Sequence, residues 1–180
     1  MTMNLGRSAT GPTMGGEKEE RMAKTVTMAA VTAGHAEGGT TLNAFDNALL
    51  AAGIGNINLI KISSILPPDV SVIELPKIKP GALIPTAYAA ITSQVPGETV
   101  AAAVGYALPD DPAKNGVIME FHGVTPRAEA ERAIHDMLGE AFRVRGETIC
   151  EIKVVSAEHT VERVGCALAA ITLLADEDLI

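Results

Sequence analysis

Beyond residue 24 the chain is cut by glycine and proline into short apolar runs, and this punctuation restricts its fold more than any other feature. Residues 25–34, 57–63, 81–93, 98–109, 116–123, 147–158 and 164–174 each read as a strand bounded by turn residues. The run 98–109 is rich in alanine and suits a helix on propensity alone, but its short span between turn residues favours a strand. The run 164–174 is apolar throughout and reads as a strand, with a helix as the weaker alternative. Only two segments carry a convincing helical period. One begins at Thr40 or Thr41, either of which supplies a capping hydroxyl, and stops at Gly53. The other opens with Thr125 as cap and Pro126 in the first turn. It repeats Ala130, Ala133, Ile134, Met137, Leu138, Ala141 and Phe142 at helical spacing. Two helices cannot supply a crossover for seven strands. The expected class is therefore α+β with mainly antiparallel sheets. The segment between the first strand and first helix, "HAEGGT", reads as a loop, and the acidic tail "ADEDLI" as a fraying end.

Composition narrows the possibilities further. Hydrophobic residues make up 47% of the 180, with no Trp and two Tyr, so the core must be aliphatic. A net charge of −8 argues against nucleic acid or an anionic membrane as a partner, since both require clustered Lys or Arg. Cys150 and Cys166 show no metal-ligand spacing and do not make a disulfide scaffold; both read as reduced, buried thiols. Residues 1–24 are polar and lack an apolar period, which predicts a flexible arm ahead of a single domain over 25–180. Neither a leader-like apolar region nor a membrane-length apolar run is present, so a cytoplasmic location is expected.

The segment "NLIKISSILPPDV" ends a strand with Ser63 and Ser64 and follows them with Pro67 and Pro68. A strand end and a turn explain this adequately. The pair has a second reading, because the Ser64 hydroxyl adjoins the Ser63 carbonyl and can attack it. An acyl shift followed by elimination would cut the chain into residues 1–63 and 64–180. No G-x-S-x-G surrounds either serine, which argues against a hydrolase nucleophile.

The neighbourhood decides between these readings. "GIGNINLIKISSILPP", with "TTLNAFDNALL", "PTAY", "VPGET", "GVIMEFHG" and "AEHTVERVGCALAA", closely resembles the pyruvoyl-dependent arginine decarboxylases over residues 25–174. The Asn-X2-Lys-X-Ser-Ser-X2-Pro-Pro core is specific in that company. The resemblance implies an αββα sandwich and a homotrimer with sites between subunits. It implies self-cleavage between Ser63 and Ser64, leaving a covalently bound pyruvoyl group at Ser64 in place of pyridoxal phosphate or a metal. It also implies conversion of L-arginine to agmatine and CO2, in polyamine biosynthesis or acid tolerance.

The resemblance gives roles to particular residues. Leu42, Asp46 and Leu49 share a helix face at i, i+4 and i+7, and the likeness makes them substrate contacts, with Asp46 facing the guanidinium. On the pattern alone they are equally a helix with one polar residue at its core edge. Glu120 alternates onto the face of Ile118, away from Met119 and Phe121. Among apolar neighbours such a carboxyl can keep its proton, and the likeness makes it the donor that follows loss of CO2. Asn58 is implied to stabilise an oxyanion, with turn capping as the competing view. Lys61 reads as solvated, and His159 as structural. His35, Ala36, Gly39 and Thr41 depart from the family pattern near the presumed pocket entrance, which bears on substrate preference. A relative acting on another amino acid such as histidine, or an uncleaved oligomeric binding domain, are the alternatives.

Overall fold

The computed structural model describes residues 25–180. The proposed arm over 1–24 lies outside the described residues. Among the described residues nine strands and two α-helices form four layers. Strand β1 (Met28–Glu37), β2 (Asn58–Lys61), β4 (Ser71–Ile73), β5 (Leu83–Ser93) and β9 (Gly165–Leu174) make the first sheet, in the order β2-β5-β9-β1-β4. Strand β3 (Ile65–Leu66), β6 (Thr99–Pro109), β7 (Gly116–Val124) and β8 (Ile149–Thr160) make the second, in the order β3-β7-β6-β8. Only the short β1–β4 and β2–β5 pairings are parallel.

The sheets face one another across an aliphatic core that includes Ala87, Ala89, Val104, Ile118, Ala169 and Ile171. Helix α1 (Thr41–Ala51) covers the outer face of the first sheet through Ala44, Ala48 and Leu49. Helix α2 (Arg127–Arg145) covers the second through Ala130, Ile134, Leu138 and Phe142. The result is an αββα sandwich. Central strand β9 is buried along its whole length between α1 and the second sheet, so its sequence shows no alternation.

Several sequence expectations need correction. The two short strands β3 and β4 were not expected, since two or three residues leave no period to read. Strand β1 does not stop at Gly34 but runs on to Glu37, pairing His35, Ala36 and Glu37 with Ala167, Cys166 and Gly165. Gly34 is there for close approach: a Cβ would stand 2.5 Å from both the Ala48 carbonyl oxygen and the Ala52 nitrogen of α1. Thr40 caps α1, its hydroxyl accepting from the Asn43 N–H. Thr125 does not cap α2; Pro126 takes the cap position, and the Arg127 N–H donates instead to the Glu158 carboxylate at 2.6 Å. Cys166 is buried but Cys150 is exposed. The acidic tail is tied down: the Asp178 carboxylate accepts from the Ala175 N–H, and the Ile180 N–H donates to the Lys77 carbonyl.

Candidate active site

The first sheet ends at one side in β2 and the second in β3, and the three residues between them carry the chain across. The Ile62 N–H still donates to the Thr86 carbonyl on β5, while the Ser64 carbonyl already accepts from Ile118 on β7 at 2.9 Å. Ser63 and Ser64 therefore form the link between the sheets. The Ile65 N–H donates back to the Ser63 carbonyl at 3.1 Å, closing a three-residue turn around Ser64. Gly116 permits β3 to lie this close to β7, since a Cβ there would stand 2.9 Å from the Ala107 oxygen and 3.2 Å from Leu66 Cβ.

Pairing of Ser64 with Ile118 brings Glu120 to this seam, because residues two apart on a strand share a face. Ile118 is buried between the sheets, whereas Met119 and Phe121 pack toward α2, as the alternation predicted. The surroundings of Glu120 are not purely apolar, however. Lys61 Nζ stands 3.3 Å from its Oε2. The same ammonium donates to the Tyr88 carbonyl at 3.0 Å and lies 4.6 Å from the Tyr88 ring centroid. Lys61 is thus held at three points. Its sequence gave no sign of this, because the groups that hold it come from β5 and β7. Asn58 opens β2, and its amide donates to the Gly81 carbonyl at 3.0 Å.

The expected substrate residues lie elsewhere. Leu49 is buried under α1, but Asp46 is exposed and Leu42 is 73% exposed at the helix's first turn. Leu42, with Thr41, Phe45, Ala90 and Thr92, lines an open depression of about 330 Å³. Neither Ser64, Glu120 nor Asn58 lines it. Aromatic contacts link the two groups: the Phe45 and Tyr88 rings lie 6.3 Å apart, and Tyr88 in turn meets Lys61.

A third cluster closes the far end of β1. His159 Nε2 lies 2.7 Å from Glu37 Oε1, and its Nδ1 lies 3.0 Å from His35 Nδ1. The Glu37 carboxylate also accepts the backbone N–H groups of Glu162, Arg163 and Val164. The His159 hydrogen bond and these amides pull the Glu37 carboxyl down to about 2 against the opposing effect of desolvation. Burial, then the neighbouring His159 and Arg127, lower the pKa of His35. Among the described residues no group of three or more His, Cys, Asp or Glu side chains is arranged to hold a metal ion.

The site thus sits in a four-layer sandwich whose two sheets are linked by a serine pair. The family model for pyruvoyl-dependent arginine decarboxylase matches residues 28–178. The pyruvoyl-dependent arginine decarboxylase of Methanocaldococcus jannaschii is 51% identical over 143 residues, covering 79% of this chain and 87% of that protein. That of Pyrococcus abyssi is 48% identical over 148 residues, covering 81% and 93%. A solved structure of pyruvoyl-dependent histidine decarboxylase at pH 8 superimposes with a TM-score of 0.46 and 19% identity, over 54% of this chain and 52% of that one. This chain belongs to the pyruvoyl-dependent arginine decarboxylase family.

Proposed function

We propose that this chain decarboxylates L-arginine to agmatine and CO2, after cutting itself between Ser63 and Ser64. The observation that carries the reading is identity of about half to arginine decarboxylases along nearly the whole described fold. The seam agrees with it. Ser64 Oγ belongs to the residue whose nitrogen is acylated by Ser63, and that carbonyl is already held by an N–H.

In the cut, Ser64 Oγ bonds to the Ser63 carbonyl carbon while the Ser63–Ser64 C–N bond breaks. The hydroxyl proton passes to the freed nitrogen, leaving an ester. Loss of the residue 64 α-proton and rupture of its Cβ–O bond release Ser63 as a carboxylate. Water then replaces the nitrogen, which departs as ammonia, and a pyruvoyl group remains at position 64. That group supplies the electron sink for the bond to the departing carboxylate.

The other residues bind, hold and move protons. Asp46 offers an exposed carboxylate with no ion pair among the described residues, suited to the forked donors of a guanidinium. Leu42 beside it gives the substrate's alkyl chain an apolar surface. Glu120, in its protonated carboxylic acid form, returns a proton to the substrate's α-carbon, and Lys61 beside it holds the side chain in place. Asn58 steadies the strand that leads to the cut.

A trimer is part of the proposal. Ile60, Ile65, Leu83 and Leu42 are large apolar residues exposed on one chain, and the first two lie on the edge strands flanking the cut. Packing of a second copy along this side would bury them and bring one chain's α1 toward another's Ser64. A cytoplasmic setting is proposed with it; among the described residues no helix is long and apolar enough to cross a membrane.

Incubating the purified protein with a panel of amino acids tests the function. The expected result is CO2 and agmatine from arginine, with intact masses matching residues 1–63 and 64–180. Release from histidine in preference to arginine would transfer the reading to a relative of different specificity. A single uncut mass in active material would overturn the self-processing mechanism.

A further inference from the structure

We infer that the backbone N–H of Ile65 is the oxyanion donor for the self-cleavage, aimed and strengthened by strand β7. This rests on the serine cut proposed above and deepens it. When Ser64 Oγ adds to the Ser63 carbonyl carbon, negative charge gathers on the Ser63 oxygen before the C–N bond breaks. Stabilising that charge needs a donor already within 2.7–3.1 Å of the oxygen. The Ile65 N–H stands 3.1 Å from it in the uncut chain.

The aim of this donor follows from peptide geometry. In a trans peptide the C=O and N–H point in opposite directions. The Ser64 C=O and the Ile65 N–H belong to one peptide, and the Ile118 N–H on β7 holds that C=O at 2.9 Å. The N–H must then point away from β7, toward the Ser63 carbonyl. A C=O that accepts a hydrogen bond also polarises its own peptide, which makes the opposite N–H a better donor. The pairings Ile65 with Val117 and Leu66 with Gly116 fix the rest of β3 against the same strand.

The side-chain candidate, Asn58, directs one of its two amide hydrogens elsewhere. The Asn58 amide donates to the Gly81 carbonyl, and no hydrogen bond joins it to Ser63 among the described contacts. Nothing in the residue type of position 65 could have revealed this role, because a backbone group performs it.

The direct test replaces Ile65 by its α-hydroxy acid analogue in the full chain, turning one amide N–H into an ester oxygen while keeping the side chain. The progress of the cut is followed by intact mass after synthesis. The expected result is slowing by about 10²- to 10³-fold, the usual cost of one oxyanion donor. Placing the same ester at Ile118 should slow the cut by a smaller factor, since it removes only the aiming bond. Circular dichroism compares each folded precursor with the Ser64→Ala chain, and Ile65→Val, which keeps the N–H, should cut at the normal rate. An ester variant at 65 that folds and cuts at the normal rate would overturn the donor role while leaving the serine chemistry standing. Ser64→Ala being cut at the same bond would instead overturn the underlying reading.

Discussion

Lys61 and Glu120 form an ion pair beside the serine link, and each makes a different prediction. On the proposed role of Glu120 as proton donor, Glu120→Gln keeps the shape but cannot lend a proton, so kcat for arginine should fall by about 10²–10⁴-fold, while the two fragments still form. Steady-state kinetics beside a denaturing gel reads both. Lys61 is more than half exposed, so its ion pair is worth no more than about 1 kcal/mol of stability. Lys61→Met should therefore leave the melting temperature nearly unchanged while lowering kcat, and Lys61→Arg should restore part of it. On the proposed contact of Asp46 with the guanidinium, Asp46→Asn removes the charge from a hydrogen bond worth roughly 1.5–3 kcal/mol, which should raise KM for arginine by about ten- to hundredfold. Isothermal titration with arginine would check this independently of turnover. The placing of Glu120 on the Ile118 face was legible from alternation alone. The grip on Lys61 was not, because it depends on Tyr88 and Glu120 arriving from β5 and β7. Asp46 stood out by its spacing, yet the same spacing put Leu49 under the helix and left Leu42 in solvent.

At the level of elements, the end of β1 is fastened by charge and not by burial alone. Glu37 joins this strand to β8 through His159 and to the 162–164 turn through three backbone amides. Its carboxyl is lowered from 4.5 to about 2, so its contribution to stability is complete above about pH 4.5 and disappears as pH falls toward 2. His35, whose pKa is depressed, acts in a higher window: folding favours its neutral form, and stability falls as pH drops below 6.5. Glu37→Gln should lower the thermal midpoint at pH 7, with the gap from the parent narrowing in acid. His35→Ser should flatten the decline below pH 6.5. Thermal melts across pH 2–8 test both. Gly34→Ala would push α1 off β1, at a cost of about 1–3 kcal/mol by urea unfolding. A glycine inside an otherwise apolar run reads as a stop, and for this reason "HAEGGT" looked like a loop. The glycine serves the neighbouring helix, a tertiary demand with no local signature. The stripe along α2 was legible because it repeats its period several times, and the seven longer strands because turn residues bracket their apolar runs. Strands β3 and β4 are too short to show either signal, although the proposed cut lies immediately before β3.

For the whole molecule, the proposed trimer is the assembly to test, and the exposed apolar residues beside the seam are where copies would meet. Analytical ultracentrifugation should find a trimer, and charged substitution at Ile60 should shift it toward monomer with loss of arginine turnover. The strand order has a further consequence once the Ser63–Ser64 bond is gone. Strands β1 and β2 then belong to one piece, while β4, β5 and β9 belong to the other, and the first sheet interleaves them as β2-β5-β9-β1-β4. Ten residue pairs still stitch β1 to β9, so the pieces stay together without a covalent tie. Their joining was a folding event within one chain. After complete unfolding it would become a search between two separate molecules, so recovery of the mature enzyme should slow on dilution, and the polypeptide would meet its easiest assembly before it is severed.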